Sequence, residues 1–82
     1  MTVAIIDYGS GNLASVTRAV TAVGWSSILV RRPEQIQDRH IILLPGVSAF
    51  PWAMQKLQQL GLAIAIQKRA QAGQPLLGIC AG

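Results

Sequence analysis

Acidic side chains are scarce in this 82-residue chain, three Asp and Glu against seven Lys and Arg. No two carboxylates are placed to divide acid and base work between them, no His/Cys/Asp/Glu cluster has metal-ligand spacing, and no Walker phosphate loop occurs. The excess of base, a formal charge of +4, does not form a nucleic-acid face. Arg18, Arg31, Arg32, Arg39, Lys56, Lys68 and Arg69 are scattered, with no run beyond two and little aromatic interleaving. A single cysteine, Cys80, excludes an internal disulfide and fits a reducing compartment. Met1-Thr2-Val3-Ala4 lacks the basic start of a secretory signal. Pro45, Gly46 and Pro51 interrupt the longest uncharged stretch, which falls short of the ~20 apolar residues of a membrane span. A cytosolic location is expected, with no cofactor and no metal.

What is abundant is apolar surface. Hydrophobic residues make up 51% and charged residues 12%, an apolar balance for a chain whose small size leaves much of it at the surface. Such a chain either meets a partner or forms part of a larger domain, and the second is expected.

Four apolar runs read as strands: Val3 to Ile6, Ser27 to Val30, Ile41 to Leu44 and Leu76 to Ile79. Between the first two, Leu13, Val16, Val20 and Val23 recur at helical spacing, with Asn12 placed to cap the start and Gly24 to end it. Arg31-Arg32-Pro33 stops the second strand. From about Phe50 to Gln71 the pattern is helical in two pieces. Pro51 suits a first turn, and Phe50, Met54 and Leu57 share a face. Gly61 breaks the segment, and Leu62, Ile66 and Ala70 line the second piece. The order β-α-β-β-α-β with apolar strands predicts an α/β fold, an open parallel sheet with helices on both faces.

The chain ends Gly78-Ile79-Cys80-Ala81-Gly82, directly after the fourth strand. A nucleophile between small residues on a sharp strand-to-helix turn projects above the sheet, and flanking glycines allow the turn. A helix after it aims N–H groups at the sulfur and favours the thiolate, while neighbouring amides can stabilise an oxyanion. The bland alternative for Cys80 is a buried structural thiol.

Asp7-Tyr8-Gly9-Ser10-Gly11-Asn12-Leu13, Leu44-Pro45-Gly46-Val47-Ser48-Ala49-Phe50 and Pro75-Leu76-Leu77-Gly78-Ile79-Cys80 together resemble one family. It is the class I, triad-type glutamine amidotransferases, and within it the glutaminase subunits of imidazole glycerol phosphate synthase in histidine biosynthesis. The resemblance covers the whole chain, in order. It implies a flavodoxin-like sheet, of which residues 1–82 form the amino-terminal portion, cut after the fourth strand. It also implies that Cys80 attacks the side-chain amide of glutamine, that backbone amides of Gly46, Val47 and Ala81 frame the oxyanion, and that the loop Gly9, Ser10, Gly11 and Asn12 lies near a subunit interface. The implied partner is a (β/α)8-barrel cyclase in a heterodimer. Two positions depart from the pattern: the family usually reads glycine at Ser48 and a bulkier residue at Ala81. Cysteine-alanine-glycine is more typical of the glutaminase of pyridoxal phosphate synthase, but the Asp-Tyr-Gly-x-Gly-Asn-Leu opening argues for the histidine branch.

Such a cysteine needs a histidine base oriented by a carboxylate. His40, the one histidine, precedes the third strand whereas Cys80 follows the fourth, so a parallel sheet puts them at opposite ends. In the family the histidine and glutamate lie far downstream, beyond Gly82, so the chain alone is expected to be inactive. Two other readings stay open. Gly9-Ser10-Gly11-Asn12-Leu13-Ala14 satisfies the dinucleotide fingerprint, with Arg31 and Arg32 available for a 2′-phosphate, although Asp7 would repel pyrophosphate. The second is a non-catalytic fragment whose exposed apolar fourth strand pairs or aggregates.

Overall fold

The computed structural model describes residues 1–9, 13–36, 41–45 and 50–79. Four strands, β1 (Thr2–Ile6), β2 (Ser26–Val30), β3 (Ile41–Pro45) and β4 (Leu76–Ile79), alternate with helices α1 (Leu13–Ala22), α2 (Phe50–Gln59) and α3 (Leu62–Gln71). A short 3-10 turn, Pro33–Gln35, lies between β2 and β3. All three strand pairings are parallel and the sheet runs β2-β1-β3-β4.

That order is the flavodoxin-like one, whose direction reverses between β1 and β3. Right-handed crossovers then put α1 on one face and the later helices on the other. The core follows this division. Alternate residues of β1 point opposite ways, so Val3 and Ile5 pack with Val20 of α1 and Leu43 of β3. Ala4 and Ile6 face Ile36, Leu57 of α2, and Leu62 and Ile66 of α3. Burying side chains such as Leu62 and Ile66 contributes about 1.5–3 kcal/mol each. The expected open sheet with helices on both faces is present, each strand within one residue of its sequence bounds.

Glycines end the helices where the chain must turn left-handed. At the end of α1, Gly24 (φ +85°) donates to the Thr21 carbonyl at 2.9 Å and Trp25 to the Val20 carbonyl at 3.2 Å. This is a Schellman motif. Gly73 and Gln74 close α3 in the same way, donating to Ala70 and Arg69. Gly61 (φ +73°) separates α2 from α3 as expected. Asn12, expected to cap α1, lies outside the described residues. Two residues expected on apolar faces stay exposed: Ala70, and Val23, which lies past the last residue of α1 and is 63% exposed.

Candidate functional site at the carboxyl edge of the sheet

In an open parallel sheet, ligands bind outside the carboxyl ends of the strands where the order reverses. Here that point lies between β1 and β3. Register fixes what arrives there. Pro45, the last residue of β3, is paired with Ile79, the last of β4. The segments beginning at Gly46 and at Cys80 therefore leave neighbouring strands at the same level, with the strands ~4.8 Å apart. Cys80, Ala81, Gly46 and Val47 themselves lie outside the described residues, as do Ser48, Ser10, Gly11 and Asn12. Gly9 is described; it is exposed, with φ +92°.

The described residues at this edge form two polar contacts that sequence reasoning missed. Asp7, just after β1, accepts the Arg31 Nε–H at 2.7 Å, and Arg31 is 71% exposed against 14% for the carboxylate. The Asp7 side chain thereby ties the ends of β1 and β2. This contact also engages the arginine that the dinucleotide reading offers to a 2′-phosphate. The Arg31 and Arg32 backbone N–H groups are both taken by Gln35 Oε1, at 2.8 and 3.0 Å.

The second contact is Tyr8. Its ring is 2% exposed, and its hydroxyl donates to the Pro45 carbonyl across 37 residues of chain. Trp52 of α2 meets the same ring, its centroid 6.0 Å from that of Tyr8 at an interplanar angle of 43°. Trp52 itself is 40% exposed. A tyrosine two residues past an apolar strand was the available signal, since a buried phenol needs a partner for its hydroxyl.

Geometry also separates the start of β3 from this edge. His40 lies outside the described residues, but its neighbour Ile41 opens β3 and pairs with Val3 at the amino end of the sheet. Four residue-to-residue steps, about 13 Å at ~3.3 Å each, separate Ile41 from Pro45.

A sheet of this order with a nucleophile motif after β4 is matched by the family profile described as "Glutamine amidotransferase class-I", over residues 4–82. The chain belongs to the class I glutamine amidotransferases. Curated relatives in this family named "Imidazole glycerol phosphate synthase subunit HisH" include that of Moorella thermoacetica, 49% identical over 80 residues, covering 98% of this chain and 38% of that protein. Those of Lactococcus lactis subsp. lactis and Halalkalibacterium halodurans are each 46% identical, covering 98% and 95% of this chain. The chain spans 40% and 36% of the length of those two relatives.

Solved structures agree on the fold of this amidotransferase segment. A "Crystal structure of glutamine amidotransferase" superposes with a TM-score of 0.78 at 21% identity, covering 96% of this chain and 42% of that one. A putative peptidase E protein from Listeria monocytogenes EGD-e does so with 0.78 at 19%, covering 99% and 46%. Among the described residues no helix is long and apolar enough to cross a membrane.

Proposed function

We propose that residues 1–82 are the amino-terminal, nucleophile-bearing portion of a single amidotransferase domain, the glutaminase of a heterodimeric imidazole glycerol phosphate synthase. The observation that supports this best is the Pro45–Ile79 pairing, which starts the 46–49 loop and the Cys80 turn side by side at the switch-point edge. In this reading the Cys80 thiolate attacks the side-chain amide carbon of glutamine. The oxyanion is held by backbone amides of Gly46, Val47 and Ala81, the C–N bond breaks, and the departing nitrogen takes a proton to leave as ammonia. Water then adds to the γ-glutamyl thioester and releases glutamate and the thiol. The Gly9–Asn12 loop faces a (β/α)8-barrel cyclase that consumes the ammonia. The relatives' subunit name supports this branch over the pyridoxal phosphate synthase glutaminase.

In this reading the base is not His40, the one histidine of the sequence, because the residue after it, Ile41, opens β3 at the amino end of the sheet. The 82 residues alone are expected to give no multiple turnover of glutamine. A chimera tests the assignment, with residues 1–82 replacing the matching segment of the Moorella thermoacetica relative. Ammonia release from glutamine in the presence of that organism's cyclase, abolished by Cys80→Ser, is the expected result. A folded chimera without such release overturns it, and so does multiple turnover by the chain alone.

A further inference from the structure

The flavodoxin-like order runs 2-1-3-4-5, and the sheet of this chain runs β2-β1-β3-β4. Among the described residues β4 pairs with β3 alone. The step from β3 to β4 moves outward along the sheet and is made through α2 and α3. Crossovers between parallel strands are right-handed, so a further outward step from β4 lies on the same face as α2 and α3. Such a connection takes a dozen or more residues and is usually a helix. Handedness therefore brings the helix that follows β4 alongside α2 and α3. A groove of 560 Å³ lies on that face, with Leu44 of β3 and Leu76 of β4 in its lining. Among the described residues that line it none is charged, and only Gln58 and Gln67 are polar. On its α3 wall, Leu62 and Ile66 are buried in the core against the sheet. Ala63, Gln67 and Ala70, at i, i+4 and i+7, form a second stripe that lines the groove with Ile64. Ile64 is 65% exposed and Leu76 44%. The small side chains of Ala63 and Ala70 let another helix axis approach to about 8–10 Å.

We propose that this groove is the seat of the first helix after β4, laid beside α3 with apolar residues at i, i+3, i+4 and i+7 turned into it. That helix belongs to the part of the domain that this chain does not span. The proposal rests on the reading of residues 1–82 as the amino-terminal portion of an amidotransferase domain, of which the chain covers 38% in the Moorella thermoacetica relative. It also gives a reason for Ala70, which continues an apolar spacing yet is exposed: its partner is the incoming helix rather than the sheet.

Ile64 reports the occupant, because its exposure lets Ile64→Cys leave folding unchanged. With Cys80→Ser and the relative's own cysteines replaced, this thiol is the one that reacts with Ellman's reagent. Its rate is followed in the 82-residue chain and in the chimera, both diluted until the rate is independent of concentration. The thiol is expected to react roughly tenfold or more slowly in the chimera, because a covered group reacts only through local opening. Equal rates in a folded chimera overturn the proposal. A second variant extends the 82-residue chain by about 30 residues, the length of one strand-helix unit, taken from the relative directly after the matching segment. It is expected to protect Ile64→Cys as the chimera does, while Arg18→Cys on α1, at the other face, reacts as before. Protection in the chimera but not in the extended chain gives the groove to a later segment and overturns the proposal. The extended chain decides alone if the chimera does not fold. Protection that appears only as concentration rises gives the groove to a second copy and overturns it as well. Ammonia release is read separately, on the chimera with Cys80 and Ile64 intact. Its absence from a folded chimera in which Ile64→Cys is protected ends the glutaminase reading and leaves the groove assignment standing.

Discussion

Two side chains next to each other in sequence, Asp7 and Tyr8, organise the carboxyl edge by different physics. Asp7 pairs with an arginine that is 71% exposed, so water and salt screen the attraction. Arg31→Ala is expected to cost under about 1 kcal/mol, read as a small drop in the urea midpoint that disappears in high salt. A loss several times larger would mean that the pair is a structural clamp. Tyr8 is buried, so its hydroxyl must be satisfied internally. Gly24 offers a third residue-scale test. A Cβ added there meets no atom within 4 Å, so any penalty comes from its φ of +85° alone. Gly24→Ala should destabilise by about 1–2 kcal/mol in chemical denaturation, because left-handed backbone is costly for alanine. A neutral or stabilising substitution would show that the Schellman turn rearranges freely.

At the scale of elements, the strands were legible because each is a solid apolar run bounded by glycine, proline or charge. Gly24 and Gly61 were legible as stops for the same reason: only glycine takes positive φ cheaply. The strand order, which only the family resemblance implied, and the Tyr8–Pro45 contact were not readable from local pattern. They join positions far apart in sequence through crossovers, and no local pattern encodes which strands become neighbours. Val23 illustrates the opposite failure. It continues the apolar spacing of α1 but lies past its last residue, so periodicity alone overstated the buried stripe. The helix faces themselves are open to test on α3. Leu62 is fully buried against the sheet and Ile64, two residues on, is 65% exposed. Leu62→Ala is expected to cost about 2–5 kcal/mol, which unfolds much of so small a domain. Ile64→Ala should stay within ~0.5 kcal/mol. Equal losses measured by thermal unfolding would mean that the α3 packing is wrong.

For the whole molecule, the consequence of a sheet wound from strongly apolar segments is that both of its faces present uncovered surface. A groove of 560 Å³ runs along α2, α3 and β4, lined by Leu44, Met54, Ile64, Ile66 and Leu76 among others. A second, of 320 Å³, lies beside α1 and includes Val16, Val23, Trp25 and Leu43. Apolar area in water is costly at roughly 25 cal/mol per Å², and a chain of this size has few charges to keep copies apart. Isolated in solution, the 82-residue chain is therefore expected to self-associate, with a weight-average sedimentation coefficient that rises as concentration increases. Ile64→Glu places a charge at the mouth of the larger groove, at a position exposed enough to leave folding unchanged. That variant should sediment with a weaker concentration dependence than the parent while its circular dichroism stays the same. The parent sedimenting as one monodisperse species at every concentration, with a sharp cooperative unfolding transition, would show that these grooves are tolerated by water.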